Sequence, residues 1–113
     1  IKGFINRVFT QNEINKSKKL NNKTNFFAKR FAAKEAFVKA LGEGFRNSIN
    51  FNDVEISNDN KGKPSINISN NIKKLLKKKL KLSKYKIFLS LSDEKKHSIA
   101  YVIINKQTWL KNL

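Results

Sequence analysis

The chain has 113 residues, 39% of them apolar, which suits one domain (residues 1–113) with a single modest core. The formal charge of +17 implies attraction to polyanions, although 22 Lys against 3 Arg in an Asn-rich chain also reads as codon-composition bias. Cysteine is absent, which excludes disulfides and thiolate chemistry, and the single histidine, His97, makes an all-protein zinc site a poor fit.

No run of residues approaches the length of a membrane span, and the cytoplasm is the default expectation. Thr10-Gln11-Asn12-Glu13 is a capping box that predicts a helix to about Leu20. After a polar turn over 21–24, Asn25 is expected to cap a long helix through Leu41, with Gly42 in a left-handed C-terminal position. Val54 and Ile56 mark a strand over 53–57, residues 58–63 a turn, and Ile66 and Ile68 a second strand over 64–68, together a hairpin. Pro64 is tolerated at the start of that strand. Residues 70–80 predict a basic helix with Ile72, Leu75, Leu76 and Leu80 on one side. A strand through Ile87, Leu89 and Leu91 and another over 98–104 follow. Helices first, hairpins after and no βαβ rhythm predict an α+β fold with an antiparallel sheet packed against the long helix.

Within the long helix, the 100° period sets Phe27, Phe31, Val38 and Leu41 on one stripe. Glu35 falls at the edge of the stripe, Lys39 one turn later, and Ala28 and Ala32 leave that flank without bulk. Glu35 and Lys39 at this spacing make an ordinary stabilising surface pair, worth about 0.2–0.5 kcal/mol. The sharper alternative is a carboxylate held at a partly desolvated edge for metal or proton chemistry. The helix alone leaves both open.

Elsewhere the signals are weaker. Lys73, Lys74 and Lys77 to Lys79 could neutralise phosphates or meet an anionic membrane, but the apolar residues between them have core spacing and few aromatics accompany them. Gly62 between Lys61 and Lys63 could turn backbone N–H groups toward phosphate, though a hairpin turn is explanation enough. No Ser–His–Asp arrangement suggests nucleophilic catalysis, and His97 reads as exposed.

In combination, FAKRFAAKEAFVKALGEG at 27–44, DVEISND at 53–59, GKP at 62–64 and SLSDE at 90–94 with IAYVI at 99–103 resemble the bacterial holo-[acyl-carrier-protein] synthases. These are the small 4'-phosphopantetheinyl transferases, and RVFTQNE at 7–13 fits the same order. The resemblance implies that family's fold and transfer of 4'-phosphopantetheine from coenzyme A to a serine of apo acyl carrier protein, a reaction that serves fatty acid biosynthesis. It implies Mg²⁺ on Glu35, and contact with the coenzyme A phosphates and help with proton transfer from Lys39. Further coenzyme A contacts are implied at Lys34, Gly62, Lys63, Pro64 and Ser92, and carrier docking at Lys2, Phe4 and Arg7. It also implies a homotrimer with active sites between subunits, neither membrane-bound nor nucleic-acid-binding. The competing reading is a non-catalytic basic module for nucleic acid, which leaves the Lys34-Glu35-Ala36 helix unexplained. Two departures stand out. The chain starts at Ile1 without the family's first strand, so an upstream strand with an aspartate facing Glu35 is expected. Asp93 stands where many relatives have histidine, and its role is left open between nucleotide contact and turn cap.

Overall fold

In this computed structural model, residues 2–42, 45, 47–94 and 97–106 are described, with the side chains of Lys2, Asp93, Glu94 and His97 excepted. The expectations for Lys2, Asp93 and His97 as side chains therefore lie outside the described residues, as do Glu43 and Gly44, where with Gly42 the sequence pattern breaks.

A first helix, α1 (Lys2–Val8), leads to the capping box. The Thr10 hydroxyl accepts from Glu13 N at 3.2 Å, and the Glu13 carboxylate accepts from Thr10 N at 2.9 Å, so α2 (Gln11–Ser17) starts where the motif requires. It stops three residues short of Leu20, in a tighter turn closed by Lys19 N to Lys16 O and Leu20 N to Ser17 O. The long helix α3 (Lys23–Leu41) starts earlier than expected. Asn22, not Asn25, is its cap: the Asn22 side chain accepts from Asn25 N at 3.0 Å, which makes Asn25 a residue of the first turn. Gly42 has φ 94°, the positive value expected, but its ψ of 176° is extended and leads the chain away from the helix.

A short 3₁₀ turn at Phe51–Asp53 precedes β1 (Val54–Asn58), which pairs with β2 (Pro64–Ile68). Helix α4 (Asn70–Leu80) follows, capped by Ser69 and ended by Lys81 in the left-handed region. It buries Ile72 and Leu76, whereas Leu80, at the frayed end of the stripe, is exposed. The last two strands, β3 (Tyr85–Glu94) and β4 (His97–Lys106), pair from Tyr85↔Lys106 to Glu94↔His97. Among the described residues the strands thus make two antiparallel hairpins rather than one hydrogen-bonded sheet. Helix α3 lies across β4 and β1. Phe37, Ala33, Val54, Ile56, Ile72 and Leu76 form the centre of the core.

The buried face of α3 is not the stripe read from periodicity. It comprises Phe26, Arg30, Ala33, Lys34, Phe37 and Leu41, whereas Phe27, Phe31 and Val38 are only half-buried. Apolar residues surround this helix, so their spacing selects no single face, and two of the six buried positions are cations. The half-buried flank is covered by other rings: Phe31 meets Phe4 of α1 at 5.8 Å and Phe51 at 5.4 Å, and Phe27 meets Phe9 at 4.7 Å.

Two buried cations in so small a core need partners. Lys34 is fully buried and its ammonium lies 2.8 Å from Glu13, itself buried, while also donating to the carbonyls of Phe51 and Val54. The other Glu13 oxygen accepts from Ile56 N at 2.9 Å, so this one carboxylate ties α2 to α3 and to β1. Burial pushes the Lys34 ammonium below the ordinary lysine range, and the hydrogen bond and charge of Glu13 oppose that shift. Removing Glu13 would leave an uncompensated buried charge, so Glu13→Ala is expected to cost about 3–5 kcal/mol. Urea unfolding checks this through a lower midpoint at unchanged slope.

Candidate active site

Two concave sites flank α3. In the first, Glu35 and Lys39 line a cleft of about 340 Å³ with Val38, Ile49 and Phe51. One helical turn separates the two charged groups, and Glu35 has no hydrogen bond or ion pair among the described residues. It is therefore a half-buried carboxylate free to bind. The surface pair allowed by the sequence is not formed, and the walls are Val38, Ile49 and Phe51. Ala28 and Ala32 merely continue the flank, exposed and half-exposed. Among the described residues no cluster of three or more acidic or histidine side chains gathers into a metal site. A single free carboxylate still fits Mg²⁺, which binds through one or two carboxylates together with substrate phosphates and water.

The second site, about 490 Å³, lies between the start of α3 and the β1–β2 turn. Lys16, Lys29 and Arg30 give it positive charge, Asn21, Asn22 and Asn25 supply amides, and Gly62 and Pro64 form its far wall. Among the described residues no carboxylate lines it. Arg30 donates to Asn58 Oδ1 at 2.9 Å, and Asn58 in turn donates to the Gly62 carbonyl at 3.0 Å, so the buried guanidinium props the turn. The Arg30 plane stacks 4.0 Å over Phe26, and its Nε, buried and without a hydrogen bond, is spare. Burial lowers the Arg30 pKa, against the charge of Glu13. Gly62 has φ 84°, which a side chain would strain, while Asp59 accepts from Lys61 N and Lys63 N at 2.9 and 2.8 Å and fixes the turn.

The residues read from the sequence are thus distributed unevenly. Glu35 and Lys39 share one cleft, and Gly62 and Pro64 share the other. Lys63 lines a neighbouring groove with Lys86 and Phe88. Ser92 is exposed, paired with Ile99 on the outer face of the β3–β4 hairpin, while adjacent Leu91 turns toward the second site. Lys34 does not fit a coenzyme A contact: it has no exposed surface, and its ammonium is held inside the core. Sequence reasoning passed over Arg30, Lys16, Lys29, Asn58 and Phe51. The arginine five residues before Glu35 was the one available signal, since a lone arginine among lysines on an apolar helix suggests a planar, directional contact.

The chain is similar to known proteins over most of its length. The family model described as the 4'-phosphopantetheinyl transferase superfamily matches residues 1–102. A holo-[acyl-carrier-protein] synthase of Pelagibacter ubique is 55% identical over 104 residues, covering 92% of this chain and 81% of that protein. The crystal structure of the Neisseria meningitidis holo-[acyl-carrier-protein] synthase superposes with a TM-score of 0.79 at 34% identity, over 93% of this chain and 81% of that one. A Bacillus anthracis holo-(acyl-carrier-protein) synthase in complex with CoA (3',5'-ADP) gives 0.75, again at 34% identity, over 94% of this chain and 83% of that one. Extending over nearly every described element, these matches establish that the chain belongs to the 4'-phosphopantetheinyl transferase superfamily.

Proposed function

We propose that this protein is a holo-[acyl-carrier-protein] synthase, moving 4'-phosphopantetheine from coenzyme A to a serine of apo acyl carrier protein. The observation that carries the proposal is Glu35, unpartnered among the described residues, beside Lys39 in a cleft on the same helix as a cationic, amide-rich pocket. The pocket suits a nucleotide: Lys16, Lys29 and the charge of Arg30 attract its phosphates, and the asparagines and the Gly62–Pro64 wall face the base and ribose. In the reaction, the serine oxygen forms a bond to the phosphorus bearing the pantetheine arm. The bridging bond of the pyrophosphate breaks, and adenosine 3',5'-bisphosphate leaves. Glu35 would hold Mg²⁺, which when bound neutralises pyrophosphate oxygens. The Lys39 ammonium, one turn away, adds charge on the same oxygens, and the apolar wall of Val38, Ile49 and Phe51 keeps water from the reacting phosphate.

The two sites lie on different flanks of α3 and at different heights along it. Phe26 and Glu35, like Arg30 and Lys39, are nine residues apart, which is about 900°, half a turn, on a helix and about 13 Å along it. One coenzyme A cannot easily reach both within a chain. We therefore assign the active site to a junction between subunits, with a homotrimer as the assembly. The outer face of β3–β4 supports this: Phe88 pairs with Ile103, and Tyr101 and Ile99 follow on the same side, 50%, 62%, 67% and 38% exposed respectively. An apolar face of that kind on a chain of +17 calls for a partner surface.

For the carrier protein we propose α1 as the docking element, with Lys2, Phe4 and Arg7. Phe4, 45% exposed, is the outer end of the ring row Phe4–Phe31–Phe51 that reaches the Glu35 cleft. The surplus of lysine would steer an acidic carrier. Among the described residues no helix is long and apolar enough to cross a membrane, and we assign the protein to the cytoplasm with its charged substrate.

Three outcomes check the proposal. Glu35→Gln is expected to abolish transfer while shifting stability by less than about 0.5 kcal/mol, because the side chain has no partner to lose. Near-normal turnover removes the metal role. Mixing Glu35→Gln with Lys16→Glu/Lys29→Glu, each inactive alone, should restore part of the activity after subunit exchange, since some mixed junctions combine one intact cleft with one intact pocket. No recovery from verified mixed oligomers contradicts shared sites. Arg7→Glu should raise KM for the carrier and flatten its salt dependence, with KM for coenzyme A unchanged.

A further inference from the structure

Glu35 has no side-chain partner among the described residues, so its place in the cleft follows from the backbone that carries it. The residue before it, Lys34, turns inward. Its three ammonium protons meet three oxygens: Glu13 Oε1 at 2.8 Å, the Phe51 carbonyl at 3.1 Å and the Val54 carbonyl. Glu13 is fixed in turn, accepting from Thr10 N and Ile56 N at 2.9 Å each. Phe51 lines the same cleft as Glu35, from the turn before β1, and its carbonyl also accepts from Val54 N at the end of the 3₁₀ turn. One buried ammonium thus holds the helix that bears Glu35 and the turn that bears Phe51 at a set separation. We propose that Lys34, with Glu13 as its anchor, is a positioning residue for the transfer reaction, spacing both walls of the Glu35 cleft; this rests on the transfer reading above.

A purely stabilising pair would show itself in unfolding alone. A positioning pair acts in the folded protein, on the chemical step more than on coenzyme A binding, because the nucleotide pocket lies on a different flank of α3. Lys34→Gln keeps two donors and loses the reach and the charge. Far below its melting temperature, with folding verified by circular dichroism, it is expected to lower kcat by about 30- to 100-fold, the scale of a misplacement near 1 Å. KM for coenzyme A should stay within about threefold. In the same protein without substrate, amide exchange at Asp53 and Val54 should quicken more than at Ser57 of β1, as the turn loses its tether. If Lys34→Gln does not fold, trimethylamine oxide favours the folded state, and Glu13→Gln, which keeps the shape and one acceptor, carries the same test. A folded variant with kcat within about threefold of the unmodified protein overturns the proposal. So does an effect confined to KM, or a fall in kcat without faster exchange at Asp53 and Val54. If the unmodified protein itself transfers nothing, the transfer reading falls, and this proposal with it.

Discussion

The contact between Lys34 and Glu13 governs much of what surrounds it. An isolated ammonium could not remain charged in a core made of Phe37, Ile56, Val54 and Ile72, and an isolated carboxylate could not either. Each is buried only because the other is, and because backbone groups from three further segments use their remaining hydrogen bonds. The capping box of α2 is therefore more than a local device. It presents Glu13 to the core in one orientation, and from that orientation follow the rotation of α3 and the approach of β1. A well-packed apolar pair of similar volume gives comparable stability in many proteins. What it would lack is the reach to the Phe51 carbonyl, and with it the control over the cleft wall.

The rotation of α3 so fixed determines which groups meet solvent. With Phe26, Arg30, Phe37 and Leu41 turned inward, Glu35 and Lys39 emerge on one flank and the cationic pocket on another. In the proposed trimer the phosphate-binding surface of one copy meets the carboxylate of another. The second hairpin presents an exposed apolar outer face that would suit such an assembly.

Much of this was legible in the sequence. Turn residues at 58–63 and alternating Ile and Val placed the second strand of the first hairpin to the residue and its first strand within one, and the Lys34-Glu35-Ala36 context identified the family. The buried face of α3 was not legible, for a physical reason. Periodicity is read from apolar residues, and here a lysine and an arginine hold two of six buried positions. Their partners, Glu13 and Asn58, lie 21 and 28 residues away in sequence, so no local window pairs them. Asn21, Asn22 and Asn25 are chemically alike as caps, and only the hydrogen bond from Asn25 N decides among them. The division of the site between two sides of α3 likewise depends on which face is buried.

The central claim is the transfer itself, and intact-mass spectrometry of an apo acyl carrier protein tests it most directly. Incubated with this protein, coenzyme A and Mg²⁺, the carrier should gain the mass of one phosphopantetheine, and omitting coenzyme A should leave it unchanged. A carrier that stays at its apo mass here, yet is fully modified by the Neisseria meningitidis enzyme in parallel, would contradict the account.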